Sequence, residues 1–180
     1  MATIFSHAVA AVALGVVCGR KIPGRAIFYG AISSMVPDLD VLGFGLGIRY
    51  GDPFGHRGFT HSLCFAALWA ALVTLVLFLK PADRKRWPVV WLFLFLATAS
   101  HGLLDAMTNG GLGVAFFAPF DNARYFLPWR PISVSPIGAR FFSPRGLAVL
   151  TSEALWIWLP AVTIASAAII FRRRRVAQRR

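Results

Sequence analysis

Long apolar runs separated by short polar clusters dominate this chain of 180 residues. A helix needs roughly 20 apolar residues to span about 30 Å of hydrocarbon, and the last three of five runs are long enough to do so. The runs are 4–18, 26–47, 62–79, 87–107 and 147–171. The pattern predicts an all-α fold, a polytopic membrane bundle of four to five segments in a single domain, 1–180.

The second run should not form one continuous helix. Pro37 interrupts it, and Asp38 and Asp40 follow directly, so we expect regular helix only as far as Met35 or Val36. Irregular backbone at membrane depth is tolerated only inside protein or beside a water-filled cavity. The pattern leaves open whether 26–47 crosses the bilayer or re-enters it.

Composition supports the membrane assignment, since 57% of the residues are hydrophobic and 14% are charged. The net charge of +12 is distributed as membrane topology requires, because thirteen of the nineteen basic residues lie in three clusters where apolar runs stop. The clusters are Arg20, Lys21 and Arg25; Lys80, Arg84, Lys85 and Arg86; and Arg172–Arg175 with Arg179 and Arg180. This distribution disfavours a nucleic-acid partner, which would require the basic residues to follow one polar face.

Placing all three clusters in the cytoplasm predicts an inner-membrane protein with its amino terminus outside and its carboxyl terminus inside. Basic residues follow the first run and none precedes it, the reverse of an export signal, so we interpret this run as a retained helix. Residues 109–146, rich in proline, arginine and aromatic rings, should form an extracytoplasmic interfacial loop, and 172–180 a basic cytoplasmic tail. We interpret Cys18 and Cys64 as small apolar side chains.

Ionisable residues inside or beside the apolar runs are the candidate chemistry, because such groups are costly in a membrane and mark functional paths. They are His7, Asp38, Asp40, His56, His61, His101, Asp105 and Glu153. Counting about 1.5 Å per residue from the cytoplasmic helix ends puts members of all five runs at similar heights, about 16 to 27 Å. One shared polar site explains this layer better than unrelated interior hydrogen bonds.

Imidazole and carboxylate ligands without thiolate favour a catalytic divalent metal, with Zn²⁺ expected and Mn²⁺ as the alternative. Divalent cations would compensate several buried carboxylates. The ligands suffice for one or two ions, and two ions could activate water and steady the oxygens of a phosphoester.

Several motifs resemble the bacterial family of inner-membrane, SOS-regulated metal-dependent hydrolases. The motifs are His7, PDLD at 37–40, HRGFTHS at 56–62, HGLLDAMTNGG at 101–111 and PFDNARYFLPWRPI at 119–132. The similarity covers nearly the whole chain and implies a multi-pass, metal-dependent hydrolase of unsettled substrate.

The HxxxD spacing of His101 and Asp105 is also similar, more weakly, to zinc-dependent phospholipases C and single-strand nucleases. That likeness implies one metal on Asp40, His61, His101 and Asp105, and another on His7 and Asp38 with Asp105 bridging. Glu153 is then a leftover candidate ligand.

Together these observations predict hydrolysis of a phosphoester, or related ester, of a lipid or lipid-linked substrate by a metal-activated water at the extracytoplasmic side. Asp38 or His56 would act as general base or acid. An anionic substrate would be bound by Arg57, Arg124 and Arg130. The alternatives are an ion or proton-coupled transporter and a non-catalytic membrane protein with a structural metal.

Overall fold

A computed structural model describes residues 1–178, and in that range the protein is helical without a named strand. The α-helices are α1 (Ile4–Cys18), α2 (Gly24–Ser33), α3 (Leu63–Leu77), α4 (Pro81–Arg84), α5 (Trp87–Ala106), α6 (Pro144–Glu153) and α7 (Leu159–Ala177). Four 3₁₀ segments, Gly19–Lys21, Val36–Leu46, Phe59–His61 and Gly138–Phe141, and one π-helical turn, Ala154–Trp158, complete the fold.

Four helical segments are long and apolar enough to cross a membrane, so the prediction of a polytopic helical membrane protein is confirmed. They are Ile4–Lys21, Gly24–Leu46, Trp87–Ala106 and Pro144–Ala177. The third predicted run is shorter than expected: α3 has 15 residues, about 22 Å of helix. The Ser62 side chain caps this helix by accepting from the Phe65 amide, and Phe78 leaves helical geometry at its other end.

The second segment is broken where Pro37 predicted. Helix α2 ends at Ser33, slightly before the expected Met35, and the chain continues through a turn into the 3₁₀ segment Val36–Leu46. We expected irregular backbone here. The 3₁₀ form satisfies most amides locally, and Pro37 at its first turn has no amide to satisfy.

An apolar core joins α1, α2, α3 and α5 in one half of the bundle. Helix α5 lies at its centre and contributes Val90, Phe93, Leu94 and Ala97, all buried. Small residues allow the helices to approach closely: Phe93 lies against the backbone of Gly30, where a methyl group would come within 2.5 Å of the ring. The other half of the bundle holds the polar residues.

The predicted outer loop is only partly a surface segment. Val114, Ala115, Ala118 and Ile132 are buried, since the loop folds back over the bundle with short bridges at Thr108–Ile132 and Val114–Tyr125.

Both predicted ends of the last segment need correction. Helix α6 begins at Pro144, inside the predicted loop, with proline at a helix start where its missing amide costs nothing. Helix α7 runs to Ala177, so Arg172–Arg175 of the predicted basic tail continue the helix. Arg179 and Arg180 lie outside the described residues.

Candidate metal centre

Four buried potential metal ligands, here called the tetrad, lie where α5 meets the 3₁₀ segments Val36–Leu46 and Phe59–His61. Asp38, His61, His101 and Asp105 each offer one nitrogen or oxygen, and the four atoms lie within 4.8 Å of one another. The Nε2 atoms of His61 and His101 are 2.9 Å apart, and His101 Nε2 is 3.4 Å from Asp38 Oδ1. His101 and Asp105 are one helical turn apart, so α5 presents both to the same point.

Hydrogen bonds on the far side of each ring orient the two tetrad histidines. His101 Nδ1 lies 2.7 Å from the Ser34 carbonyl, which can only accept, so Nδ1 carries the proton and Nε2 is left as a ligand. His61 Nδ1 similarly faces Asp40, 3.2 Å away. Such outward partners are typical of metal-binding histidines, because they fix the tautomer and the ring orientation.

Asp40, His56 and His61 form a second group beside the tetrad. Asp40 Oδ1 accepts from His56 Nδ1 at 2.7 Å, and Oδ2 accepts from the Thr60 hydroxyl at 2.7 Å. Burial lowers the pKa of His56, and its bond to Asp40 opposes this only in part. Burial also acts to lower the pKa of His61, but Asp38 and Asp40 outweigh it and raise the value to about 9. Carboxylates that stabilise an imidazolium would equally stabilise a divalent cation.

The two aspartates of PDLD exchange the positions that the phospholipase likeness implied for them. Asp38, not Asp40, completes the tetrad with His61, His101 and Asp105, while Asp40 holds the outer nitrogens of His56 and His61. The reason is the 3₁₀ backbone: with three residues per turn, side chains two positions apart point in different directions.

His7 lies beside the tetrad rather than within it. Its ring stacks on His101 with centroids 3.6 Å apart, and its Nε2 is 3.7 Å from Asp105 Oδ1. Neither of its ring nitrogens has a hydrogen-bond partner. Of the pair assigned to a second ion, Asp38 therefore belongs to the tetrad and His7 borders it, and both have ligand atoms without a hydrogen-bond partner.

The donor set fits a divalent cation on two physical grounds. Both oxygens of Asp38 and the Nε2 of His56 are buried without a hydrogen-bond partner, an arrangement that is costly unless something binds them. Asp38, Asp40 and Asp105 carry three negative charges, and within residues 1–178 Arg57 is the arginine or lysine side chain that contacts them. A cluster of three buried carboxylates is expected where carboxylates coordinate metals.

Arg57 organises the site in a way that the sequence did not reveal. Its guanidinium is fully buried and donates from Nε to Asp105 Oδ2 at 2.9 Å, from Nη1 to the Gly110 carbonyl and from Nη2 to Thr108 Oγ1. The backbone at Arg57 has φ 64°, a strained conformation for an arginine. Three of its five N–H groups donate to protein acceptors, so Arg57 positions Asp105. Its role in substrate binding stays a prediction.

The other two predicted substrate arginines also contact the protein itself. Arg124 donates to the backbone carbonyls of His56, Tyr50 and Asp52, and so fastens the HRGFTHS loop. Arg130 stacks over the Phe126 ring, 4.7 Å from its centroid. Neither guanidinium points to the tetrad through a hydrogen bond, and their proposed role in substrate binding gains no support.

Glu153 belongs to neither ligand group. Its carboxylate is fully buried and accepts from the Thr3 amide, the Thr3 hydroxyl and the Ser6 hydroxyl. These donors satisfy it, so Glu153 ties the end of α6 to the start of α1 and thereby supports the position of His7.

A cavity of about 400 Å³ opens beside His56 on the predicted outer side. Tyr50, Gly111 and residues 134–137 line it, together with Arg140 and Arg145. His56 is the member of the second group that reaches this space. The two arginines came from the part of the loop that sequence reasoning assigned to the interface, and only the folding of the loop brings them toward the site.

These features define a class: a multi-pass helical membrane protein whose buried histidines and aspartates form a potential metal centre. Comparison with known proteins is more specific. Residues 1–176 match the family model described as YdjM inner membrane protein, and the chain belongs to that family. It is 41% identical over 171 residues to "Inner membrane protein YbcI" of Escherichia coli (strain K12), a match that covers 91% of this chain and 95% of the relative. No solved structure matches it significantly.

The match confirms the predicted inner-membrane assignment. The other properties that the resemblance implied, hydrolase activity and SOS regulation, stay predictions, as does the orientation of the termini.

Proposed function

We propose that this protein is a membrane-bound metal-dependent hydrolase that cleaves a phosphoester, or a related ester, of a lipid or lipid-linked substrate at the extracytoplasmic side. The observation that carries the proposal is the tetrad: four buried ligand atoms within 4.8 Å, among helices that otherwise bury apolar residues. A site of this kind is rarely maintained for packing alone. Each buried charge costs several kcal/mol, which is a large fraction of the free energy of unfolding of a typical protein.

The side chains of the site have different roles, metal binding and the positioning of ligands. Asp38, His61, His101 and Asp105 would hold a divalent ion, and His7 offers a further nitrogen at its edge. Such an ion, when bound, would supply the Lewis acidity that activates water and steadies phosphoryl oxygens. Asp40 and Arg57 keep ligands in place through hydrogen bonds.

His56 is the best candidate for proton transfer. Its Nδ1 is hydrogen-bonded to Asp40, its Nε2 has no hydrogen-bond partner, and the residue lines the outer cavity. Because burial lowers the pKa of His56, the neutral ring is available to accept a proton near neutral pH. Asp38 remains the alternative base, with both oxygens free of hydrogen bonds.

The cavity lining and the membrane setting both support an amphiphilic anionic substrate. Arg140 and Arg145 on its lining suit an anionic headgroup, and a site between membrane helices favours an amphiphile. The rival, transport, would need polar groups leading to the other face, where the core is instead the apolar cluster around Val90, Phe93 and Leu94.

The test is a hydrolysis screen with metal-loaded protein in lipid nanodiscs, using phospholipids and lipid-linked phosphates beside water-soluble esters. We expect turnover of an amphiphilic phosphoester, abolished in His101→Ala and reduced in His56→Gln, with Asp121→Asn as a control that removes an exposed carboxylate outside both ligand groups. Products only from soluble esters would refute the lipid assignment. Full activity of His101→Ala would refute the site.

A further inference from the structure

A second large cavity lies at the opposite end of the bundle from the candidate metal centre. Its volume is about 920 Å³, and residues at the carboxyl ends of α1 and α7 line it. Five cationic side chains line it: Arg20, Lys21, Arg172, Arg173 and Arg175. Among the described residues, no carboxylate contributes to this lining. We call this space the basic cleft.

An apolar groove continues from the basic cleft along the helices. Its volume is about 640 Å³, and it shares Cys18, Lys21 and Arg172 with the cleft. The remainder of the groove is apolar, with Leu92 and Leu96 of α5 and Phe171 of α7 among its lining residues. The combined space therefore has a positive end and a hydrocarbon end, joined at Arg172.

Within residues 1–178, the cationic side chains of the basic cleft form no ion pair, whereas Arg25 of the same sequence cluster pairs with Asp83. Arg172 instead donates from Nη1 to the neutral Val17 carbonyl, 3.1 Å away. Gly19 has φ 64° and lacks the methyl group that would meet this guanidinium, so Arg172 can lie against the end of α1. Five like charges around one cleft repel one another unless an anion enters.

We propose that the basic cleft and its groove bind one anionic phospholipid of the cytoplasmic leaflet, with the headgroup phosphate at Arg172 and Lys21 and an acyl chain in the groove. The leaflet follows from the predicted cytoplasmic location of the basic clusters. Basic sites between helices on this side suit anionic headgroups, and arginine pairs with phosphate through two parallel hydrogen bonds. The proposal is independent of hydrolysis, since the basic cleft shares no residue with the metal ligands.

Cys18 provides a direct test, because it lines both the cleft and the groove. The full chain is placed in phosphatidylcholine nanodiscs with or without phosphatidylglycerol, and alkylation of each cysteine by N-ethylmaleimide is followed by mass spectrometry. With the site saturated, we expect Cys18 to react roughly tenfold more slowly in phosphatidylglycerol. Cys64, at the start of α3, is the reference within the same molecule and should be unaffected.

Matched variants separate a built site from general attraction to a negative surface. Arg20→Gln with Arg172→Gln removes two charges from the basic cleft, and Lys21→Gln removes one without touching the Val17 contact. Arg174→Gln with Arg86→Gln removes two charges outside its lining. We expect the first two variants to lose protection of Cys18 and the third to keep it. Equal loss in all three, or equal protection by phosphatidylcholine alone, would overturn the proposal.

Discussion

Two neighbouring aspartates illustrate how much a single position decides in this molecule. Asp38 is a member of the tetrad and neither of its oxygens has a hydrogen-bond partner, whereas Asp40 accepts from His56, Thr60 and the Arg57 amide. The sequence identified both as candidate ligands, but it could not assign them, because the 3₁₀ backbone that separates their directions has no clear sequence signature. Asp40 thus acts on the tetrad through His61.

Asp40→Asn should weaken metal binding without abolishing it. The amide can still contact His61 but loses the charge that orients the ring, and outward partners of this type are worth about 10- to 100-fold in metal affinity. The measurement is a competition titration of the purified protein with a chelating dye. Affinity equal to that of the wild type, or equal to that of Asp121→Asn, would show that Asp40 does not support the ligands.

Arg57→Lys should destabilise the protein although the charge is kept. Lysine cannot replace three donors that point to Asp105, Thr108 and Gly110, and breaking a buried charged pair costs about 3–5 kcal/mol. The apparent melting temperature in detergent should fall well below the wild-type value. Arg130→Lys, which retains the stacking cation on a half-exposed ring, is the control and should melt normally. An unchanged melting temperature for Arg57→Lys would contradict the positioning role.

At the scale of elements, the apolar runs predicted the helices and Pro37 predicted the break, since both are local consequences of composition. The length of α3, the π-helical turn and the inward folding of the outer loop were not predictable, because they depend on contacts between distant segments. The same limit applies to Arg57: its type and position suggested an anion partner, and only the packed structure shows that the anion is Asp105.

The close approach of α2 to α5 can be tested by adding a methyl group at the contact between the two helices. Gly30→Ala would bring its Cβ within 2.5 Å of the Phe93 ring, and overpacking of this kind costs about 1–3 kcal/mol. Gly24→Ala, at the start of the same helix, meets no atom within 4 Å and serves as control. Melting temperatures in detergent should fall for Gly30→Ala only. Equal values for the two variants would mean that α2 and α5 are not packed as described.

The whole molecule is polarised along its helices. The potential metal centre and its cavity lie at one end, the apolar core in the middle and the basic cleft at the other end. Positive charge next to membrane helices favours the cytoplasm, which would turn the metal centre outward.

This orientation predicts that a periplasm-dependent phosphatase reporter is active when fused before residue 1, and that a cytoplasmic fluorescent reporter is active when fused after residue 180. The opposite pattern would place the metal centre on the cytoplasmic side. It would also remove the argument for an extracytoplasmic substrate.

The central claim is that residues of α5 and of the 3₁₀ segments Val36–Leu46 and Phe59–His61 together bind a divalent cation, and elemental analysis tests it directly. Protein purified without chelators should contain at least one equivalent of Zn²⁺ or Mn²⁺ per chain, and His101→Ala and Asp105→Ala should contain almost none while Asp121→Asn retains it. A wild-type protein that neither carries nor takes up a divalent metal, or a His101→Ala variant with full metal content, would contradict the account.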